Sequence, residues 1–300
     1  WIHTIKEDPK HIFSLTKRAT DFITSSTKQQ KPFYLQISHY AVHANIESKK
    51  STYERLKDKP QGTHQKDLGF AAMTSDLDNG LGMIMKKVKE LGIENNTYII
   101  YMSDNGSVPN IPGAKKYEKS YNYPLSRGKW DALEGGIRVP LIVSGPGIKP
   151  DSYSATPVSG SDILPTIIHL AGGKEMQFNN TDGGSFAKIL FNENLKNVRR
   201  KVEGIFFHVP YRNGIAIKRP HSAVRKGDFK LLKFQDDKSI QLYNLTSDLK
   251  EQFDLKKENP LKAKELEKIL DDYLIEVHAP KWQEGITWKK TPLKEINSNY

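Results

Sequence analysis

The sequence predicts an α/β protein: a central, largely parallel mixed sheet flanked by helices, followed by a small C-terminal α+β subdomain of one antiparallel sheet and one helix. Three observations carry this reading. Over the first two hundred residues, short apolar and β-branched runs alternate with stretches of helical periodicity. The texture then changes to strands with no helices between them, and one long amphipathic helix closes the series. A chain of 300 residues with 37% apolar content has enough material to bury a substantial core.

The elements follow in order. "EDPKHIFSLTKRATDFITSS" reads as a helix with Pro9 near its first turn and Ile12, Leu15, Ala19, Phe22 and Ile23 on one face. "KPFYLQIS" reads as a buried strand. "GFAAMTSDLDNGLGMIMKKVKELG" keeps helical spacing through Met73, Leu77, Ile84 and Val88 and meets a stop at Gly92. Gly80 and Gly82 weaken it, since each costs about 1 kcal/mol inside a helix. "NTYIIYMS" and "VPLIVSGPG" are strands, and "SDILPTIIHLAGG" is a helix with Asp162 as its N-cap. Further on, "EGIFFHVP", "SAVRKGDFKLLKF" and "SIQLYNL" read as three strands, and "PLKAKELEKILDDYLIEV" as the closing helix. The polar run "FNENLKNVRRK" marks the boundary between domains at 1–200 and 201–300.

A net charge of +11 favours a polyanionic partner, but the lysines are scattered and intermixed with acids, as on solvated helix faces. No zinc-finger spacing, basic-zipper heptad or RNA-binding aromatic motif accompanies them, which argues against nucleic acid. With no cysteine there are neither disulfides nor thiolate metal sites. No apolar run is long enough to span a membrane, and the first residues lack the pattern of a secretory signal.

The chemistry lies in loops that follow strands. Asp104 and Asn105 come directly after "YIIYM", where open α/β sheets bind ligands, and offer two hard oxygen ligands for Ca²⁺ or Mg²⁺. "DNG" is also a common turn sequence, although the long loop behind it speaks against a tight hairpin. His43, after "FYLQIS", suits donation to an anionic oxygen or proton transfer, and His39 is an equally placed alternative. Lys129 can hold an anion as a compact charge, and the Glu-Gly-Gly at 134–136 allows close backbone approach.

The ordered set "PFYLQISHYAVH", "NTYIIYMSDNG", "PLSRGKWDALEGGIRVPLIVSGPG" and "SGSDILPTIIHLAG", with "FFHVPYR", "HSAVRKGDFKLL" and "QLYNL" near the end, resembles the arylsulfatase-type sulfatases of the alkaline phosphatase superfamily. The resemblance implies a sulfuric ester hydrolase whose parent removes sulfate from a sulfated small molecule or polysaccharide, using calcium and a formylglycine nucleophile. It implies that Asp104 and Asn105 are calcium ligands, that Lys129 contacts the sulfate group and that His43 contacts the ester oxygen. Arg138 is expected to be a structural ion-pair partner. His208, and with it Tyr211, His221 and Arg225, are placed around the substrate, with His208 the strongest. Relatives are usually exported, so the resemblance also implies a periplasmic or extracellular location.

Three departures stand out. Sulfatases make formylglycine from Cys or Ser in a Cys/Ser-x-Pro-x-Arg motif and carry an earlier Asp-Asp metal pair; neither occurs here. The chain therefore resembles the later two thirds of a sulfatase, and by itself is expected to lack turnover and tight calcium binding. "HAN" stands where many relatives have His-Thr-Pro, and Trp130 where they often have a small residue, there to pack or to stack on a sugar. Two rival readings predict different behaviour: a phosphoester or phosphonate hydrolase of the same superfamily, and a noncatalytic polyanion-binding remnant.

Overall fold

The structure, a computed structural model, describes residues 3–109, 122–173, 181–192, 194–212 and 219–282. Much of the long loop after Asn105 lies outside these residues. The chain forms two compact units: one holds the residues up to Ile100 together with Val143–Gly147, the other the remaining described residues.

In the first unit, β1 (His3–Ile5) pairs in parallel with β2 (Ile46–Ser48), His3 opposite Ile46. Helix α1 (Ile12–Lys28) follows a short 3-10 turn at Pro9–His11, and its first turn is capped by Asp8 Oδ1, which accepts from Phe13 N at 2.8 Å. It buries Ile12, Thr16, Ala19 and Ile23; Leu15 is only half-buried and Phe22 is exposed, so the inward face is rotated from the predicted one. Helix α2 (Lys50–Lys57) starts beside the buried Asp76, which accepts from Lys49 N at 2.8 Å and Thr52 Oγ1 at 2.5 Å. Helix α3 (Leu68–Glu90) is capped by Asp67 on Phe70 N and ends just before Gly92, as expected. Gly80 has a packing reason: a Cβ there would meet Thr16 Oγ1 at 2.8 Å and Ile12 Cγ2 at 3.0 Å. The residue that weakens α3 is the one that lets α1 lie against it.

Residues 33–37 depart from the prediction. Phe33, Leu35 and Ile37 pack on Ala19, Ile23 and Ile84 while Tyr34 points to solvent, an alternation proper to a strand. No strand is assigned there, because the alternation sets which side chains are buried but a strand also needs hydrogen-bonding neighbours. Strands β3 (Ile99–Met102) and β4 (Leu141–Ser144) pair with each other, and the division between units passes through both. Among the described residues the predicted central sheet is thus represented by two two-stranded pieces.

In the second unit, the four-residue α4 (Glu134–Ile137) precedes β4, and α5 (Ile163–Leu170) and α6 (Ala187–Phe191) follow it. Asp162 stands at the N-cap position of α5, but its side chain makes no capping bond to that helix and instead closes a capping box with Ser159 on the 3-10 turn Gly160–Asp162. Its carboxylate accepts from Ser159 N at 2.7 Å and Gly184 N at 2.9 Å and pairs with Arg200 at 2.6 Å. Beyond it the chain forms a four-stranded antiparallel sheet in the order β5 (Ile205–Val209), β6 (His221–Lys226), β7 (Phe229–Phe234) and β8 (Ile240–Asn244), and then α7 (Pro260–Glu276). The prediction of three strands is corrected to four. "SAVRKGDFKLLKF" is a hairpin that turns at Gly227 and Asp228, with Lys226 opposite Phe229.

This sheet is covered on both faces. Val224, Leu231 and Leu242 pack against Ala263, Leu266 and Leu270 of α7. Ala223, Leu232, Phe234 and Tyr243 pack against Ala132 and Leu133, almost a hundred residues earlier in sequence. Because of that second contact the packing does not divide at residue 200, where the polar run placed a domain boundary. No described helix is long and apolar enough to cross a membrane.

Candidate functional site

Strand β3 delivers the chain to Asp104 and Asn105. Asp104 is exposed, and Asn105 is half-buried with its Oδ1 shut off from solvent and without a hydrogen-bond partner. A buried acceptor left without a donor costs about 1–3 kcal/mol, so this oxygen is open to a cation or a water as its partner. A carboxylate next to a carboxamide oxygen is the donor set a hard cation takes. Among the described residues no group of three or more His, Cys, Asp or Glu side chains could hold a metal. Asp104 and Asn105 thus offer at most part of the roughly six to eight oxygens that a calcium ion takes.

The lysine loop is tied directly to this turn. Lys129 N donates to Ser107 O at 2.9 Å, and Gly106 N donates to Gly136 O at 2.9 Å. Asn122 braces both segments: its Oδ1 accepts from Ser107 N at 2.9 Å, and its Nδ2 donates to Ser107 O at 2.7 Å and Arg127 O at 2.9 Å. At Gly106 a Cβ would fall 1.8 Å from Gly135 O, so backbone runs on backbone and no side chain fits. The structure thus brings Asp104, Asn105 and Lys129 into two loops joined by their main chains. Lys129 is half-buried with Nζ 5.7 Å from the centre of the Trp130 ring.

Behind the loop stands a charged cluster. Glu134, almost fully buried, meets Lys230 Nζ at 3.0 Å, Arg138 at 3.5 Å and Arg225 at 3.7 Å. Arg138 is the ion-pair partner it was expected to be, and Arg225 is engaged in the same cluster. Lys230 Nζ also lies 2.5 Å from Glu251 Oε1, and Glu251 Oε2 accepts from Glu134 N at 2.7 Å. Burial pushes the Glu251 carboxyl up to about 6, against the pull of Lys230. Asp131, also pushed up to about 6 by burial, accepts from Leu133 N at 3.1 Å and pairs with Arg127.

His43 belongs to the first unit. Its side chain is exposed, its N–H donates to Tyr40 O at 2.8 Å, and Nδ1 lies 3.2 Å from Ala44 O. It opens on a cavity of about 360 Å³ that Lys10, His11, Tyr40, Ala44 and Glu47 also line. The neighbouring His39 is half-buried, its Nδ1 has no partner, and burial lowers its pKa.

His208 lies on β5 with Nδ1 2.9 Å from Ser222 Oγ and Nε2 2.6 Å from Pro280 O, and burial lowers its pKa. Tyr211 is exposed. His221 does not rim a pocket: it is wholly buried, its Nδ1 donates to Arg219 O at 2.7 Å, and its Nε2 accepts from Ala132 N at 2.9 Å. That pattern requires the neutral ring, and burial holds its pKa down at about 4. Lys230 and Glu251 carry no distinctive sequence signal: the lysine among apolar residues in "FKLLKF" looks the same as the neighbouring Lys233, and Glu251 stands in a polar run.

Comparison with known proteins identifies the family. A sulfatase family model matches residues 10–173, and a model of the C-terminal part of N-sulphoglucosamine sulphohydrolase matches 129–280. A sulfatase of Formosa agariphila is 30% identical over 97% of this chain and 56% of its own length. The N-acetylgalactosamine-6-sulfatase of Mus musculus is 31% identical over 53% of this chain and 28% of its own. The crystal structure of Ps i-CgsB superposes with a TM-score of 0.73 at 26% identity, covering 95% of this chain and 61% of that one. Its complex with k-i-k-neocarrahexaose gives 0.74 at 24%, covering 96% of this chain and 61% of that one. The chain thus spans little more than half the length of the most extensively matched of these relatives. With one family model covering more than half of its residues and a relative matching nearly all of them, the chain belongs to the sulfatase family.

Proposed function

We propose that the protein containing this chain hydrolyses sulfate esters of carbohydrates and that the chain supplies part of its calcium shell and of its anion clamp. The observation that carries this is the buried, unpartnered Oδ1 of Asn105, set beside Asp104 in a turn bonded to the loop of Lys129. Calcium held there supplies positive charge beside the sulfate oxygens. Lys129 adds a compact cation, and charge spread over a tetrahedral oxyanion in the transition state is what such groups stabilise. The family resemblance assigns the ester oxygen to His43, whose exposed ring has Nδ1 3.2 Å from Ala44 O. His208 serves substrate recognition. A carbohydrate substrate is supported by the sugar named for the mouse relative, by the oligosaccharide bound in the Ps i-CgsB complex and by the C-terminal family model.

Formylglycine has no place within these 300 residues, which hold neither a cysteine nor a Ser-x-Pro-x-Arg. The chain alone is accordingly predicted to show no sulfate release and only weak calcium binding, most of the coordination sphere being left to water. By family the location is periplasmic or extracellular. The test is to express the full reading frame and assay paired sulfate and phosphate esters of the same sugars. Sulfate release that falls at least ~100-fold in Lys129→Ala supports the reading, since such a loss is typical of an electrostatic contact to the transition state. A preference for phosphate by orders of magnitude overturns it.

A further inference from the structure

The loop around Lys129 is strained on both sides of that residue and held from outside. Trp130 has φ 77° and Arg127 φ 57°, left-handed conformations that large side chains avoid. Such backbone persists only where its surroundings over-determine it, at about 1–3 kcal/mol for each residue. Here the surroundings are specific. Three successive main-chain N–H groups each donate to a buried side-chain acceptor: Ala132 N to His221 Nε2 at 2.9 Å, Leu133 N to Asp131 Oδ1 at 3.1 Å, and Glu134 N to Glu251 Oε2 at 2.7 Å. Two of these acceptors come from the C-terminal part of the chain.

Each of those two is itself fixed. His221 is oriented by the bond from Nδ1 to Arg219 O. Glu251 stands at φ 53° in a turn whose next two amides, Gln252 N and Phe253 N, donate to Asp248 Oδ2 at 2.8 and 2.9 Å. Its other oxygen faces Lys230, which is wholly buried and shared with Glu134. The residue before it takes part as well, since Ser126 Oγ donates to Lys250 O at 2.6 Å. None of these groups is on the loop of Asp104 and Asn105, and none is needed merely to close a four-residue helix.

We propose that His221 and Glu251 are positioning residues of the anion site: by holding the amides of Ala132 and Glu134 they fix the strained turn that presents Lys129. The C-terminal sheet thereby sets where the ammonium group stands. Lys230 lets Glu251 serve as an ionised acceptor without an uncompensated charge in the interior. The proposal rests on the anion-binding role assigned above to Lys129, and the two can fail separately.

The experiment uses the 300-residue chain and hydrogen exchange of the amides 132–134. Glu251→Ala is expected to speed their exchange by about ten-fold or more, the equivalent of one lost hydrogen bond, while Leu231 and Leu242 in the sheet keep their protection. Because Glu251→Ala leaves Lys230 unbalanced and could unsettle the fold, two paired variants decide the matter. Glu251→Gln with Lys230→Met removes both charges but keeps an oxygen for Glu134 N, and is expected to restore protection. Glu251→Ala with Lys230→Met removes both charges and the acceptor, and is not. Equal restoration by both pairs, or a uniform loss of protection across the sheet, overturns the proposal by reducing the cluster to charge balance.

The link to Lys129 is read from the shift of the Trp130 indole N–H on addition of inorganic sulfate. The shift is expected in the wild-type chain, weakened in Glu251→Ala and recovered in the Gln/Met pair. A shift unchanged by Glu251→Ala overturns the positioning role. A shift that survives Lys129→Met instead overturns the anion reading on which the proposal rests, whatever the exchange data show.

Discussion

Lys230 Nζ lies 2.5 Å from Glu251 Oε1 with neither side chain exposed to solvent, and the same ammonium group meets Glu134 at 3.0 Å. One buried cation thus answers two buried carboxylates, Glu134 in the short helix that follows the Lys129 turn and Glu251 in the C-terminal part of the chain. Such a cluster contributes little net stability over an apolar replacement, but breaking it is costly because an unpaired charge is left inside.

The first prediction concerns that cost. Lys230→Met is expected to destabilise the chain by roughly 3–5 kcal/mol, measured by urea unfolding. Adding Glu251→Gln recovers a substantial part of it. A loss of less than about 1 kcal/mol, the size of a surface ion pair, contradicts the buried arrangement.

The second concerns pH. His221 is neutral in the folded protein, with its pKa held at about 4, whereas the unfolded side chain titrates near 6.5. Between those values the unfolded state binds the extra proton, so stability is lost as pH falls through 6.5 and the loss is complete near 4. Comparing the wild type with His221→Gln cancels the other groups that titrate in this window, including Asp131 and Glu251, whose raised pKa values act in the opposite direction. The stability advantage of the wild type is expected to shrink by roughly 3 kcal/mol from pH 7 to pH 4. A difference that does not vary with pH contradicts the neutral, buried ring.

A third follows from Gly80. On propensity alone Gly80→Ala should stabilise α3 by about 1 kcal/mol. The contacts at 2.8 and 3.0 Å from Thr16 and Ile12 reverse the sign, and a net loss of about 1–3 kcal/mol is expected, as for other overpacked sites. Thr16→Ala in the same background is expected to relieve part of it, while a stabilised single variant contradicts the close approach of α1.

The sequence shows where the loops proposed to hold metal and anion begin, because "YIIYM" reads plainly as a strand, half-buried in the structure, and polar residues follow it at once. It does not show how the loops are held. Lys230 and Lys233 flank Leu231 and Leu232 in the same strand, yet Lys230 is wholly buried and Lys233 reaches Asp271 and Glu267 of α7. The difference arises because the second face of the sheet is covered by Ala132 and Leu133 from a distant part of the chain, and no local pattern encodes a cover so remote. For the same reason "KPFYLQIS" announces the alternation of its side chains but not the neighbours its backbone needs. His221 resembled a substrate contact because a histidine at a strand start says nothing of which side of the sheet is filled.

The proposal that Asp104, Asn105 and Lys129 form one oxyanion and metal site is checked most directly by an anomalous-scattering crystal structure of the full-reading-frame protein grown with calcium and sulfate. Calcium is expected on Asp104 and on Asn105 Oδ1 at about 2.3–2.6 Å, with a sulfate oxygen in contact with Lys129 Nζ. Calcium seated elsewhere, with Asn105 Oδ1 satisfied by a protein donor, contradicts it.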